Sequence, residues 1–170
     1  MGYVEVGCRV LLVTVFALAL WSKISGREPW TRFVRSVRDM TPWRSNAVPV
    51  AVAAGEAAAI VLVATPLQWA GVLGFALAAA LLGCFTVATA LVVRRGAAVP
   101  CRCFGGASET PMGWTHVIRD LVLTALAVLG LAASTSFGIA DVGMALIAGV
   151  AGAALGLVIT RTDDLASLLR

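Results

Sequence analysis

Charged residues are scarce in this chain of 170 residues, which has 13 lysines and arginines and 9 aspartates and glutamates. Only 13% of the residues are charged, whereas about a quarter are charged in an ordinary soluble domain. Hydrophobic residues make up 60% of the chain, and the mean hydropathy is +0.95. So few polar side chains cannot cover so apolar a core in water, which excludes a disordered chain and almost any soluble globular enzyme. The lipid bilayer is therefore the expected solvent.

Cysteine and histidine are also scarce, with four cysteines and one histidine in the chain. Four cysteines are too few for a fold held together by disulfides. One histidine and two distant cysteines do not complete a four-ligand site, so we expect no metal. The pI near 9.3 would suit nucleic acid, but the basic residues flank apolar segments. Anionic lipid is therefore the expected partner, and no nucleic acid is expected.

Five segments are apolar enough and long enough to cross a bilayer, which takes roughly 20 residues per helix. They are residues 4–22, 47–64, 67–93, 115–136 and 142–160. No strand pattern is present, and an open sheet is not stable in lipid. We therefore predict an all-α polytopic membrane protein, with a four-helix transmembrane bundle over 1–136. A fifth transmembrane helix and a short tail follow over 137–170. The first segment lacks a basic leader and a cleavage site, so we expect it to be a retained span.

The long first loop, residues 23–46, has the pattern of an amphipathic helix. Pro29 suits a first helical turn. Apolar residues recur on one predicted face and charged residues on the other, which favours an interfacial helix lying on the membrane; a plain loop is the alternative. The apolar face has Trp30, Phe33, Val34, Val37 and Met40, and the charged face has Arg32, Arg35, Arg38 and Asp39.

Basic residues are distributed unequally between the two predicted faces of the membrane. Five spans place the first loop, the third loop and the C-terminus on one face, with eleven basic residues, and the opposite loops have none. The positive-inside rule then predicts a cell-membrane protein with this face cytoplasmic and its N-terminus outside. The eleven are Lys23, Arg27, Arg32, Arg35, Arg38, Arg44, Arg94, Arg95, Arg102, Arg161 and Arg170.

Small residues cluster in the fifth span, where Gly152 and Gly156 form a Gly-x-x-x-Gly pattern. Small surfaces let helices approach closely and gain dispersion contacts. We expect this pattern to serve packing within the bundle, and a dedicated dimerisation motif is the alternative.

The third loop contains Cys101 and Cys103, separated by Arg102 and followed by two glycines. Neighbouring positive charge lowers a thiol pKa and favours the thiolate that attacks disulfides. A disulfide between residues i and i+2 closes a small ring whose geometry is not relaxed, so it should be easily reduced. The pattern indicates a thiol–disulfide exchange site, and two loop thiols without a role are the alternative. Cys8 and Cys84 lie within spans and are expected to be small buried apolar residues.

Glu56, near the middle of the second span, is the most unusual charge in the chain. A carboxylate there is costly, and two alternatives follow: it is protonated, or it pairs with Arg119 of the fourth span. Its role is then proton relay, ligand anchor or a structural bond between helices. His116 is expected to lie solvated at the interface, and Arg9 is expected to reach the interface or to pair with Glu5 at i, i+4.

Several short motifs together resemble a known family over the first four spans, to about residue 133. They are Trp21-Ser22-Lys23, the amphipathic loop with Phe33, Gly55-Glu56, Arg95-Gly96, Cys101-x-Cys103-Phe104-Gly105, Gly113-Trp114 and Arg119-Asp120. The pattern is similar to the methylamine-utilisation protein MauE family, within the DoxX-like membrane proteins. The resemblance implies a membrane protein of thiol redox chemistry, or of the maturation of a disulfide-rich partner, with a thioredoxin-like protein as partner. It implies Cys101 and Cys103 as the redox pair, and Glu56 and Arg119 as matched intramembrane positions.

The function expected from these observations is thiol–disulfide exchange, which would make the chain an oxidoreductase, with a quinone as a candidate second partner by analogy. A membrane anchor or assembly subunit without catalysis is the first alternative. A proton-coupled transporter built around Glu56 is the second, although the chain is short and lacks an inverted repeat.

Overall fold

The computed structural model describes residues 2–40, 47–96, 113–135 and 141–168, and every regular element in these ranges is a helix. The six helices are α1 (Gly2–Ile24), α2 (Arg27–Met40), α3 (Ala47–Ala64), α4 (Gln68–Arg94), α5 (Trp114–Ser134) and α6 (Val142–Leu168). Five of them, all except α2, are long and apolar enough to cross a membrane. The predicted fold class and the five predicted spans are confirmed.

α2 is the predicted amphipathic helix. Phe33 and Ser36 on one face are buried, and Arg32, Arg35 and Arg38 on the other face are exposed. The buried face packs on α1 and α3, so α2 lies across one end of the bundle. Burial of its narrow apolar stripe against two helices explains why so polar a sequence is helical.

The core lies among α1, α3, α4 and α5, which form the four-helix bundle. Phe16 of α1 and Phe75 of α4 are its largest apolar side chains, and both are almost fully buried. Leu82 of α4 and Leu123 of α5 pack in the same cluster. Because lipid is as apolar as this core, packing and dispersion contacts rather than transfer from water hold the helices together.

α6 lies outside the bundle and packs mainly on α1. A Cβ atom at Gly152 would collide with the carbonyl oxygen of Gly7, and one at Gly156 would lie 3.2 Å from the carbonyl oxygen of Leu11. The two glycines thus let the α6 and α1 backbones approach closely. The Gly-x-x-x-Gly pattern serves packing within the chain, as expected.

The bundle has two ends, which we name after a basic residue at each: Arg9, which is partly buried, and Lys23, which is buried. At the Arg9 end, the start of α1 meets the end of α3, where Arg9 donates to the carbonyl oxygens of Val63 and Thr65, each at 2.7 Å. Gln68 of α4 contacts the Ser134 carbonyl oxygen of α5 at the same end. The antiparallel neighbours therefore place the end of α1, the end of α4 and the start of α5 at the opposite end, the Lys23 end.

α4 ends at the Lys23 end with a left-handed glycine. Gly96 has φ +64°, and its N–H donates to the carbonyl oxygen of Val93 at 3.1 Å. The N–H of Arg95 donates to the carbonyl oxygen of Leu91. Glycine adopts this conformation without the Cβ penalty of other residues, so Arg95-Gly96 is a helix stop and sets where the next segment begins.

Candidate functional site

Lys23 and Glu56 form a buried ion pair between α1 and α3. The Lys23 ammonium group lies 2.6 Å from Oε1 and 2.9 Å from Oε2 of Glu56, so both carboxylate oxygens accept from it. Each side chain is only 1% exposed. Glu56 is in the middle of α3, and Lys23 is in the last turn of α1, so the lysine stem reaches inward along the bundle to meet it.

α2 covers this ion pair. The Lys23 ammonium group lies 5.1 Å from the centroid of the Phe33 ring, a distance at which the ring face attracts a cation. Phe33 is 2% exposed, and Trp30 packs against it with ring centroids 5.8 Å apart. The amphipathic helix therefore supplies an aromatic lid that separates the buried charges from the outside of the bundle.

One sequence prediction about these charges is wrong, and one of the two alternatives for Glu56 is excluded. Lys23 was expected in the first loop among the basic residues of one membrane face, but it is buried inside the bundle. Glu56 pairs with Lys23 and not with Arg119, whose Nε lies 3.4 Å from Oδ1 of Asp120. The physical reason is reach: the side chain of Lys23, at a helix end, extends to the buried carboxylate, whereas Arg119 has the carboxylate of Asp120 beside it.

α5 brings a second group of buried polar side chains to the Lys23 end. Asp120 is fully buried and lies 3.5 Å from Oγ1 of Thr89 on α4, in addition to its contact with Arg119. Thr86 and Thr124 are 3.3 Å apart one turn deeper. Arg119 and His116 are each 7% exposed, so the prediction of a solvated His116 is also wrong. These contacts make the α4–α5 seam polar at this end.

The Lys23 end thus concentrates the buried charge of the bundle. Within the described ranges, seven buried side chains that carry charged or hydrogen-bonding groups belong to it, from five different helices. They are Lys23, Ser36, Glu56, Thr89, His116, Arg119 and Asp120. A buried charge is retained in lipid only when it is paired, and such groups commonly mark a functional surface. The described residues contain no group of histidine, cysteine, aspartate and glutamate able to hold a metal ion.

Cys101 and Cys103 lie outside the described residues, so their role stays a prediction. The described residues on either side of them are Gly96, which ends α4, and Gly113, which precedes α5. Both belong to the Lys23 end. The two remaining cysteines are free: Cys8 is buried as expected, whereas Cys84 is exposed on the outer face of α4. The prediction of a buried Cys84 is wrong, because an apolar span shows no difference between its lipid face and its core face.

Sequence reasoning missed Lys23, although a signal for it exists. The buried residues of α1 recur at helical spacing through Leu12, Phe16 and Ala19, and Lys23 is the next position of that stripe. A lysine that continues a buried stripe faces the bundle, so its ammonium group needs a carboxylate there. Arg9, by contrast, pairs with Glu5 as expected, with Nη2 and Oε1 2.9 Å apart.

The fold and these contacts define a multi-pass helical membrane protein with a four-helix bundle, one outer helix and a buried ion pair under an amphipathic helix. The family model described as methylamine utilisation protein MauE matches residues 1–133. A protein named methylamine utilization protein MauE from Paracoccus denitrificans is 36% identical over 146 residues, which cover 83% of this chain and 77% of the relative. Its namesake from Paracoccus versutus is 35% identical over the same shares. The chain therefore belongs to the MauE family, which confirms the resemblance in its motifs; no solved structure matches it.

Proposed function

We propose that this chain serves methylamine utilisation as an integral membrane thiol–disulfide exchange protein that acts through Cys101 and Cys103. Membership of the MauE family supports the first part. One observation supports the second part, the exchange site. The segment with both cysteines lies in the chain between Gly96 and Gly113, and these two glycines belong to the end of the bundle that has the buried charged groups. A thioredoxin-like domain is the partner that this chemistry suits.

The proposed exchange is balanced between two dithiols. One thiolate of the pair Cys101 and Cys103 attacks a disulfide sulfur of the partner, and a mixed disulfide forms as a partner thiolate leaves. The second cysteine then attacks the mixed disulfide and releases the other partner thiol. Two thiols of this chain are thereby oxidised to a disulfide, the partner disulfide is reduced to two thiols, and the reverse reaction runs through the same steps.

The buried charges have a supporting role in this proposal. The Lys23–Glu56 pair joins α1 to α3, and the Thr89–Asp120 contact joins α4 to α5, so both pairs of helices are held together at the end where α4 ends and α5 begins. Because both oxygens of Glu56 bond to Lys23, the carboxylate acts as a structural bridge. This arrangement disfavours the alternative of a transporter that carries protons on Glu56.

We further propose that the Lys23 end faces the cytoplasm in the cell membrane. The burial of Lys23 removes it from the count of basic loop residues, but the other ten remain on the same face and the opposite loops have none. The asymmetry that decides orientation is therefore almost unchanged. On that face, the dithiol would exchange electrons with a cytoplasmic partner.

Thiol labelling of the purified full-length protein tests the exchange proposal. After mild oxidation, a polar maleimide is expected to label neither Cys101 nor Cys103, and reduced thioredoxin is expected to make both reactive. Cys84→Ser is the matched control, because Cys84 lies on the outer face of α4, away from the segment, and its loss should change nothing. Cys101→Ser should abolish the thioredoxin-dependent change.

Two results would contradict the proposal. Cys101 and Cys103 that stay reactive under oxidising conditions form no disulfide, and the chain would then be a membrane anchor or assembly subunit. An oxidised pair that dithiothreitol opens but reduced thioredoxin does not would be a structural bond rather than an exchange site.

A further inference from the structure

An open groove of about 880 Å³ lies between α2 and α3 at the Lys23 end. One face of α2 lines it, together with Val50 in the first turn of α3. Its apolar wall has Trp30, Val34 and Val50, and its polar wall has Arg35, Arg38 and Asp39. The groove is separate from the Lys23–Glu56 pair, since neither residue of the pair nor Phe33, which covers it, is among the lining residues.

The polar wall of the groove is positively charged. Arg35 and Arg38 are three residues apart, so they project from the same face of the helix, against one carboxylate at Asp39. Within the part of the chain that the structure describes, no carboxylate lies within ion-pair distance of Arg35. Arg32, which is 3.4 Å from Glu28, is not among the residues that line the groove. The groove therefore attracts an anion.

The apolar wall of the groove indicates a ligand that has an apolar part in addition to an anionic group. Val50 is 54% exposed, and the rings of Trp30 are half-buried, so the groove presents apolar surface beside its arginines. α2 follows the end of the α1 span and precedes the start of the α3 span, which places the groove at the depth where lipid headgroups meet acyl chains. The start of α3 also adds a positive partial charge there.

We propose that this groove binds one anionic phospholipid. Its phosphodiester group pairs with Arg35 and Arg38, and an acyl chain runs along Trp30, Val34 and Val50. An amphiphile matches the apolar wall and the polar wall together, and the positive charge of the two arginines selects the anionic phospholipids among the amphiphiles at this depth. The bound lipid would hold α2 against α3, and this site does not depend on the proposed thiol exchange.

Native mass spectrometry of the purified full chain tests this site. Phosphatidylglycerol and phosphatidylcholine with the same acyl chains are titrated separately. We expect one phosphatidylglycerol to bind at least about tenfold more tightly than phosphatidylcholine. Because one arginine near anionic lipid contributes about fivefold in affinity, Arg35→Gln should weaken the binding of phosphatidylglycerol about fivefold and the Arg35→Gln, Arg38→Gln double variant more than tenfold. The matched control is Arg32→Gln, because Arg32 does not line the groove, and the affinity of this variant for phosphatidylglycerol should not change.

Equal binding of the two lipids, an unchanged affinity in the double variant, or an equal loss in Arg32→Gln would overturn the proposal. Displacement of phosphatidylglycerol by equimolar soluble glycerol phosphate would show a site for free phosphate, which would also overturn it. If the double variant unfolds at a lower temperature than the parent, Val50→Glu provides the second test. This change places a carboxylate at the exposed edge of the groove and should lower phosphatidylglycerol affinity while leaving phosphatidylcholine binding unchanged.

Discussion

The two ends of the bundle use buried charge differently. At the Arg9 end, the arginine pairs with Glu5 one helical turn away and binds the carbonyl oxygens that end α3, so the ion pair closes a helix end. At the Lys23 end, residues 33 positions apart in the chain meet inside the bundle with 1% exposure each. The first arrangement is local and partly solvated, and the second depends on the whole fold.

This difference teaches how the same interaction changes with its surroundings. The Arg9–Glu5 pair is 15% and 22% exposed, and local pairs of this kind contribute only about 0.3–0.5 kcal/mol. Removal of one partner from a fully buried pair leaves an uncompensated charge, which costs about 3–5 kcal/mol. The Lys23 end should therefore be far more sensitive to single substitutions than the Arg9 end.

The largest expected effect concerns orientation, since it decides which end faces the cytoplasm. A phosphatase that is active only outside the cytoplasm, fused after residue 170, should be inactive, and a green fluorescent protein at the same position should fluoresce. Ten basic residues on this face are the reason. An active phosphatase together with a non-fluorescent green fluorescent protein would place the Lys23 end and the cysteine segment outside the cytoplasm.

The next largest effect is the loss of one partner of the buried pair. Glu56→Gln and Lys23→Met should each lower the free energy of unfolding by about 3–5 kcal/mol. The double variant should lose less than the sum of the single losses, because no charge is left unpaired. Thermal and denaturant unfolding in detergent measures all four proteins. Glu5→Gln at the Arg9 end is the matched control and should cost less than about 1 kcal/mol. Strictly additive losses would show that Lys23 and Glu56 do not interact.

A smaller effect is expected where α6 meets α1. Gly152→Ala should destabilise the protein by about 1–3 kcal/mol, because the added methyl group meets the Gly7 carbonyl oxygen and forces the helices apart. Gly83→Ala is the control, since a Cβ there has nothing within 4 Å and alanine favours the helix. Equal stability of the two variants would mean that α6 does not depend on this close approach.

The smallest effect concerns the aromatic lid. Phe33→Leu keeps an apolar side chain over Lys23 but removes the ring face, so it should cost about 1 kcal/mol beyond the change in packing. In the Lys23→Met variant, Phe33→Leu should cost about 1 kcal/mol less than in the parent protein, because no cation remains for the ring to attract. An identical cost in both backgrounds would show that the ring acts by packing alone.

Hydropathy and charge predicted the five spans and the amphipathic α2, since both follow from the length and the periodicity of apolar runs. The sequence did not indicate which face of each span meets lipid, because core and lipid are equally apolar. The sequence therefore predicts a buried Cys84, whereas Cys84 is exposed on the outer face of α4. The partner of Glu56 was missed for a related reason: depth along a helix can be read from sequence, but rotation about its axis is set by packing. Lys23 could point outward or inward until the stripe with Phe16 is considered.

The central claim, that Cys101 and Cys103 exchange disulfides with a thioredoxin-like domain, is tested most directly by trapping the mixed disulfide. The full-length Cys103→Ser variant is first reduced. It is then mixed with a thioredoxin that lacks its second active-site cysteine and whose first active-site cysteine is bound through a disulfide to a small thiol, which is the leaving group. The account predicts a one-to-one covalent complex through Cys101, which dithiothreitol separates by reducing the mixed disulfide. The further change Cys101→Ser should abolish the complex, whereas Cys84→Ser should leave it intact. A complex that persists without Cys101, or no complex with either Cys101 or Cys103 present alone, would contradict it.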